Sequence, residues 1–208
     1  LMGHGTEHHT NAAYPALDYT FWAKGYRNVV VGTVEGFPEM EEVLKKLNGK
    51  KEEVCLFQEN IPALDLELLE KRNRLLQERN FSDPMFRYAG QFAAADDIVI
   101  AAPYWDLAFP SVLRIYLEHV TVTGVTFQYT PEGIPEGLCR AKRIIYVTTA
   151  GGPVGNQNLG YDYVKSLAGT FYGIPDVLCF KAENLDIVGA DVDGILQDAV
   201  RDIRLASL

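Results

Sequence analysis

At 208 residues, 48% hydrophobic and 23% charged, the chain can bury a sizeable core and fits one large domain more readily than two. A formal net charge of -9 and a pI near 4.9 exclude the basic face that nucleic acid or an anionic membrane surface requires. No apolar run reaches the roughly 18–20 residues of a membrane helix, and no charged start with an apolar core marks a signal peptide. Cys55, Cys139 and Cys179 are odd in number, far apart and outside any CxxC pair, so a reducing cytoplasm is the expected setting.

In chain order, Leu1 and Met2 read as the stump of a strand, followed by the loop Gly3 to His9 and a helix from about Asn11 to Lys24. From there short β-branched runs alternate with amphipathic stretches. Strands are predicted at Asn28 to Gly32, Glu53 to Phe57, Asp97 to Ala102, Arg143 to Thr148 and Asp176 to Ala182. Helices are predicted at Pro38 to Leu47, Leu64 to Gln77, Met85 to Ala95, Pro110 to Val120, Tyr161 to Tyr172 and Val192 to Leu205. Pro38 and Pro110 suit first-turn positions, Ser82-Asp83-Pro84 marks a helix entry, and Asp191 reads as an N-cap. The short apolar strands are of the kind covered on both faces. Counted from Asn28 they make a flavodoxin-like α/β fold: one doubly wound parallel sheet in three layers, spanning residues 1–208 as a single domain. The first βα unit is surplus to that plan, and is expected at a sheet edge or over a face.

In an open parallel sheet, ligands bind beyond the carboxyl ends of the strands, near the point where strand order reverses. After the third core strand comes Pro103-Tyr104-Trp105-Asp106-Leu107-Ala108-Phe109-Pro110-Ser111. Its aromatic faces and backbone amides could hold a planar ring, although on the residues alone core or loop packing is the commoner role of such aromatics. After the fourth comes Thr149-Ala150-Gly151-Gly152-Pro153-Val154-Gly155, whose paired glycines let backbone approach a ligand closely.

Together these segments carry a family resemblance. Ala95 to Asp106, Phe109-Pro110-Ser111-Val112-Leu113, Gly124 to Tyr129, Gly133 to Leu138 and Asn60 to Asp65 resemble the FMN-dependent NADH-azoreductases and NAD(P)H-quinone reductases, from about residue 51 onward. The resemblance implies FMN held at Pro103, Tyr104, Trp105 and Asp106 and at Thr149, Ala150, Gly151 and Gly152. It also implies NAD(P)H and a small-molecule electron acceptor as partners in a ping-pong hydride transfer, and a homodimer with sites at the interface. Asp106 stands where the family commonly has Asn, and a carboxylate there disfavours an anionic reduced flavin. Phe127 and Tyr129 are candidates for a substrate pocket.

The loop after the first core strand, Gly32-Thr33-Val34-Glu35-Gly36-Phe37-Pro38-Glu39, offers one hydroxyl and two carboxylates where a flavodoxin-like fold seats a phosphate. FMN binding is therefore expected to be impaired. The first 48 residues, through Leu1 to His8, Asn11 to Leu17 and Asn28 to Pro38, resemble instead the anaerobic sirohydrochlorin cobaltochelatases. That resemblance implies a divalent metal such as cobalt at His4 and Glu35, but the family's later histidine motif is missing, leaving only His119 after Glu35. Two families meeting near Asn48 to Lys51 suggest a chimera, most simply an engineered one. The functional expectation is an FMN-dependent quinone or azo reductase with a weakened phosphate site; the alternatives are a folded scaffold without activity and weak metal binding.

Overall fold

The computed structural model describes residues 30–33, 43, 45–47 and 52–206. Five strands, β1 (Val30–Thr33), β2 (Glu52–Cys55), β3 (Ile98–Pro103), β6 (Arg143–Thr149) and β7 (Asp176–Ala182), form one sheet in the order β2-β1-β3-β6-β7, every pair parallel. Two three-residue strands, β4 (Phe127–Tyr129) and β5 (Pro135–Gly137), pair antiparallel in a separate hairpin. Counting the sheet strands alone gives the order 2-1-3-4-5, the flavodoxin-like arrangement whose switch point lies between β1 and β3. The predicted fold class is thus the observed one.

The strands form because β3 and β6 are runs of Ile, Val and Ala with Tyr, buried on both faces as parallel strands must be. Ile98, Ile100 and Ala102 share one face with Ile144 and Tyr146. Against it pack Phe92 of α2 (Arg87–Ala94), Leu113 and Leu117 of α3 (Ser111–Val120) and Val164 of α4 (Leu159–Leu167). Val99, Ala101, Ile145 and Val147 face the other way, toward Val43, Leu47 and Ile203 of α5 (Val192–Leu205). Alternation along each strand therefore feeds two cores at once.

Helix entries follow the expected chemistry. Asp65 accepts the Leu68 N–H at 2.9 Å to start α1 (Leu66–Gln77), and Asp191 accepts the Gly194 N–H at 3.0 Å to start α5. Asp83 accepts the Met85 N–H at 2.9 Å, but the helix predicted at Met85 to Ala95 opens as a 3₁₀ turn, Pro84–Phe86, before α2. The helix predicted from Tyr161 starts at Leu159, because Asn158 caps it through the Tyr161 N–H at 3.0 Å. Its last turn is a π turn, Ala168–Tyr172, closed by Gly173 at φ +71°. The β4–β5 hairpin was not predicted at all.

Strand ends shifted slightly. β2 stops at Cys55 rather than Phe57, while β3 and β6 each run one residue further, to Pro103 and Thr149. The predicted strand stump at Leu1 and Met2, the helix at Asn11 to Lys24 and most of Pro38 to Leu47 lie outside the described residues. Among the described residues no helix is long and apolar enough to cross a membrane.

The packing predicts a contrast within one measurement. Phe92 is fully buried and meets Tyr172 edge-on with ring centroids 4.9 Å apart; Phe92→Ala should lower unfolding free energy by about 3–5 kcal/mol in a urea titration. Leu66, 73% exposed at the start of α1, should change it by less than about 0.5 kcal/mol on truncation to Ala.

Candidate functional site

The last register pair of β3 and β6 is Pro103 with Thr149, so the two strands deliver their loops side by side. Tyr104 donates its N–H to the Thr149 carbonyl at 2.8 Å and its phenol to the Gln157 carbonyl at 2.6 Å. Leu159 at the start of α4 donates its N–H to the Leu107 carbonyl at 3.1 Å. Three hydrogen bonds thus tie segment 103–108 to segment 149–159. All eight residues predicted for a ring site, Pro103 to Asp106 and Thr149 to Gly152, come together here.

Segment 105–108 is a tight reversal. Trp105 and Ala108 exchange both backbone hydrogen bonds, at 3.2 and 2.8 Å, and the two residues between them have positive φ: Asp106 at +49° and Leu107 at +69°. Positive φ at both central positions is what a type I′ turn demands, and it favours Asn, Asp or Gly. Asp106 suits it. Leu107 does not, and an L side chain of that kind held in the left-handed region costs on the order of 1–2 kcal/mol. The turn also presents Trp105 and Leu107, about half exposed, and the Asp106 carboxylate to solvent.

Segment 149–155 has few side chains of its own to hold it. A third loop does that work, Glu183 to Asp186 beyond β7. Ala150 donates to the Ala182 carbonyl at 2.8 Å, and the N–H groups of Leu185, Asp186 and Asn184 are given to the carbonyls of Ala150, Gly151 and Gly152 at 3.1, 2.9 and 3.2 Å. Asn184, at φ +71°, reverses the chain for this purpose. A Cβ on Gly151 would lie 2.2 Å from Asp186 Oδ2, whereas one on Gly152 would meet nothing within 4 Å. A side chain at Gly151 would therefore have to displace the exposed Asp186 carboxylate, whereas Gly152 leaves open space.

The polar ledger of the loops is one-sided. Among the described residues the N–H groups of Asp106, Leu107, Gly151 and Gly152 have no acceptor. Beneath them on β6, the fully buried hydroxyls of Tyr146 and Thr148 make no well-formed hydrogen bond, and burial pushes the Tyr146 phenol upward against a weak opposing influence of Thr148. Glu183 has its carboxyl held below the ordinary range: desolvation opposes ionisation, but the Val154 N–H at 2.9 Å and Lys181 at 3.1 Å outweigh it. Burial raises the Cys179 thiol to about 11 and Cys139 to about 12, so neither is a thiolate nucleophile at neutral pH.

Other expectations fall elsewhere. His4 and Glu35, with Val34 to Glu39, lie outside the described residues; among the described residues no group of three or more His, Cys, Asp or Glu could hold a metal ion. His119 is buried and donates from Nε2 to the Pro62 carbonyl at 2.8 Å, a structural role. Phe127 is buried edge-on against Phe171 at 4.8 Å, while Tyr129 beside it is exposed. The Glu183 to Asp186 loop went unpredicted, although the same strand-end rule applied to β7 would have reached it.

The flavodoxin-like fold family matches residues 7–205. That span crosses the Asn48 to Lys51 junction, so origin of the first 48 residues in a cobaltochelatase, and an engineered fusion, are not supported. An FMN-dependent NADH:quinone oxidoreductase of Lachnoclostridium phytofermentans is 40% identical over 161 residues, covering 76% of this chain and 80% of the relative. One from Clostridium perfringens is 36% identical over 163 residues, covering 76% and 81%. Among solved structures, an azoreductase from Bacillus anthracis aligns with a TM-score of 0.70 at 24% identity, over 84% of this chain and 94% of that one. An FMN-dependent NADH-azoreductase of the same species, in complex with FMN, also gives 0.70, at 21% identity over 88% and 100%. At these identities the two structures speak for the fold.

The close approach at Gly151 yields a double-mutant prediction. Gly151→Ala should destabilise the protein by up to about 1 kcal/mol as the exposed Asp186 carboxylate gives way, and Gly152→Ala by less. In calorimetry or chemical unfolding, adding Asp186→Ala to Gly151→Ala should recover part of the loss, a coupling that independent sites would lack.

Proposed function

We propose, from the premise that the chain belongs to the flavodoxin-like family of FMN-dependent NADH:quinone oxidoreductases, that it is a single-domain reductase passing electrons from NADH through FMN to a quinone or azo compound. The observation that carries this reading is the Tyr104 N–H to Thr149 carbonyl bond. It sets two loops side by side at the carboxyl ends of β3 and β6, and four of their backbone donors are unclaimed.

Those donors fit a flavin ring. The polar edge of an isoalloxazine needs N–H groups that no protein acceptor already holds, and Gly151, Gly152, Asp106 and Leu107 supply them. Open space at Gly152 lets backbone come within hydrogen-bond reach of a planar ligand. FMN, when bound, supplies the two-electron carrier between nicotinamide and acceptor. The chain's part is to bind and orient the ring, to stabilise negative charge at its edge through the fixed amides, and to keep water off its face with Trp105.

Two acidic features set the affinity and the potential. Glu35 and Glu39 put like charge in the loop expected to seat the phosphate, so FMN is held mainly through the ring and binds weakly. Asp106, exposed in the turn, opposes added negative charge on the ring. The exposed apolar side chains of Trp105, Leu107 and Leu159 around this rim support a homodimer in which a second subunit covers the site.

Purified protein titrated with FMN should show the shifted flavin absorbance of a bound ring, and NADH-dependent quinone reduction should rise in proportion to occupancy. No spectral change at excess FMN would sink the reading in favour of an inactive scaffold. Asp106→Asn should raise the midpoint potential of bound FMN by roughly 10–30 mV, measured against a reference dye, since removing one solvent-screened charge is a small term.

A further inference from the structure

We propose that Glu183, in the loop after β7, is a positioning residue of the ring site: its carboxylate holds the Val154 N–H and so keeps the glycine loop in the shape that leaves Gly151 and Gly152 free to donate to FMN. This rests on the FMN reading above, and it adds a residue that lies outside both ring-binding loops.

The glycine loop cannot shape itself. Ala150, Gly151, Gly152 and Pro153 carry no side-chain donor or acceptor, and Pro153 has no N–H. Backbone from the β7 loop takes every carbonyl from Ala150 to Gly152, through the N–H groups of Leu185, Asp186 and Asn184. With the carbonyls turned toward β7, the opposite edge of the loop is left to the unclaimed N–H groups. The loop's entry is fixed by the Ala150 N–H on the Ala182 carbonyl at 2.8 Å.

Its exit has one such fastening, the Val154 N–H on Glu183 Oε2 at 2.9 Å. That is the side-chain link in an otherwise backbone clasp, and Lys181 Nζ holds the same carboxylate oxygen at 3.1 Å. Val154 is buried, so its amide cannot turn to water without carrying the side chain out of the core. Losing the carboxylate would leave that N–H unsatisfied and release the exit end of the loop. A hydrogen bond to a charged acceptor is among the stronger kinds a protein makes.

The test uses the full chain with Glu183→Ala and Glu183→Gln, the second retaining an acceptor oxygen without the charge. In apo protein, hydrogen exchange at the Val154 amide should accelerate at least about tenfold in Glu183→Ala and return to within about threefold of wild type in Glu183→Gln. FMN titrations should follow the same order, with Kd raised about tenfold in Glu183→Ala and largely restored in Glu183→Gln. Unchanged exchange and unchanged Kd in Glu183→Ala would overturn the proposal, as would faster exchange with no change in Kd. Wild-type protein that takes up no FMN would overturn the functional reading and this inference with it, whereas FMN uptake indifferent to position 183 would overturn this inference alone.

Discussion

Where β3 runs beside β6, six residue pairs from Ile98 with Ile144 to Pro103 with Thr149 lie in register, and nearly every side chain along both strands is buried. A slip of one residue would turn Ile98, Ile100 and Tyr146 toward the α5 face and Val99 and Val147 toward the α3 face, exchanging two cores of different volume. The register is therefore fixed by packing on both sides of the sheet. Its last pair decides where the two ring loops begin. Everything proposed about function inherits its geometry from that constraint, because Tyr104 can reach the Thr149 carbonyl only if Pro103 and Thr149 finish level.

The same constraint explains which parts of the molecule could be read from residues alone. Strands covered on both faces must be short and apolar, so β3, β6 and β7 stood out to within a residue, and the cap at Asp191 marks its helix directly, whereas Asp65, inside the helix predicted from Leu64, proves to be its cap. Three-residue strands such as β4 and β5 carry too little alternation to separate them from loop. The first turn of the Pro84 segment and the last turn of the Tyr172 segment depart from α geometry, which apolar periodicity does not register. Of the site, the Pro103 to Asp106 and Thr149 to Gly152 segments were visible as glycines and aromatics at strand ends. What holds them was not: Gln157, Leu159 and Asn184 act through backbone atoms, which every residue possesses and no sequence pattern advertises. Glu183 is one carboxylate among 28 acidic residues, and only its distance to Val154 distinguishes it.

Local strain concentrates where the loops meet. Asp106, Leu107 and Asn184 all have positive φ, and the described residues contain only two further non-glycine positions of this kind, Asn60 and Arg79. Left-handed conformations persist when surrounding hydrogen bonds over-determine them. Around Leu107 these are the paired bonds of Trp105 with Ala108 and the Leu159 N–H; around Asn184 they are the bonds to Ala150, Gly151 and Gly152. A loop held this firmly before ligand arrives loses little conformational entropy on binding, which is how a site made mostly of backbone can still be selective.

That economy bears on the acidic first loop. On the proposed reading FMN affinity would draw on two separable sources, the ring at the β3 and β6 loops and the phosphate after β1. Carboxylates at Glu35 and Glu39 would weaken the second and leave the first alone, since its donors are fixed by the sheet register and the β7 clasp. A chain of net charge -9 adds a long-range repulsion for any dianionic ligand, which salt screens over about 8 Å at physiological ionic strength while leaving short hydrogen bonds to the ring intact. Binding by the ring should thus depend little on ionic strength, and binding by the phosphate should strengthen as salt rises. The salt dependence of FMN affinity consequently separates the two contributions without altering a residue, and it does so in a protein whose ring loops come from strands one and two positions away from β1 in the sheet.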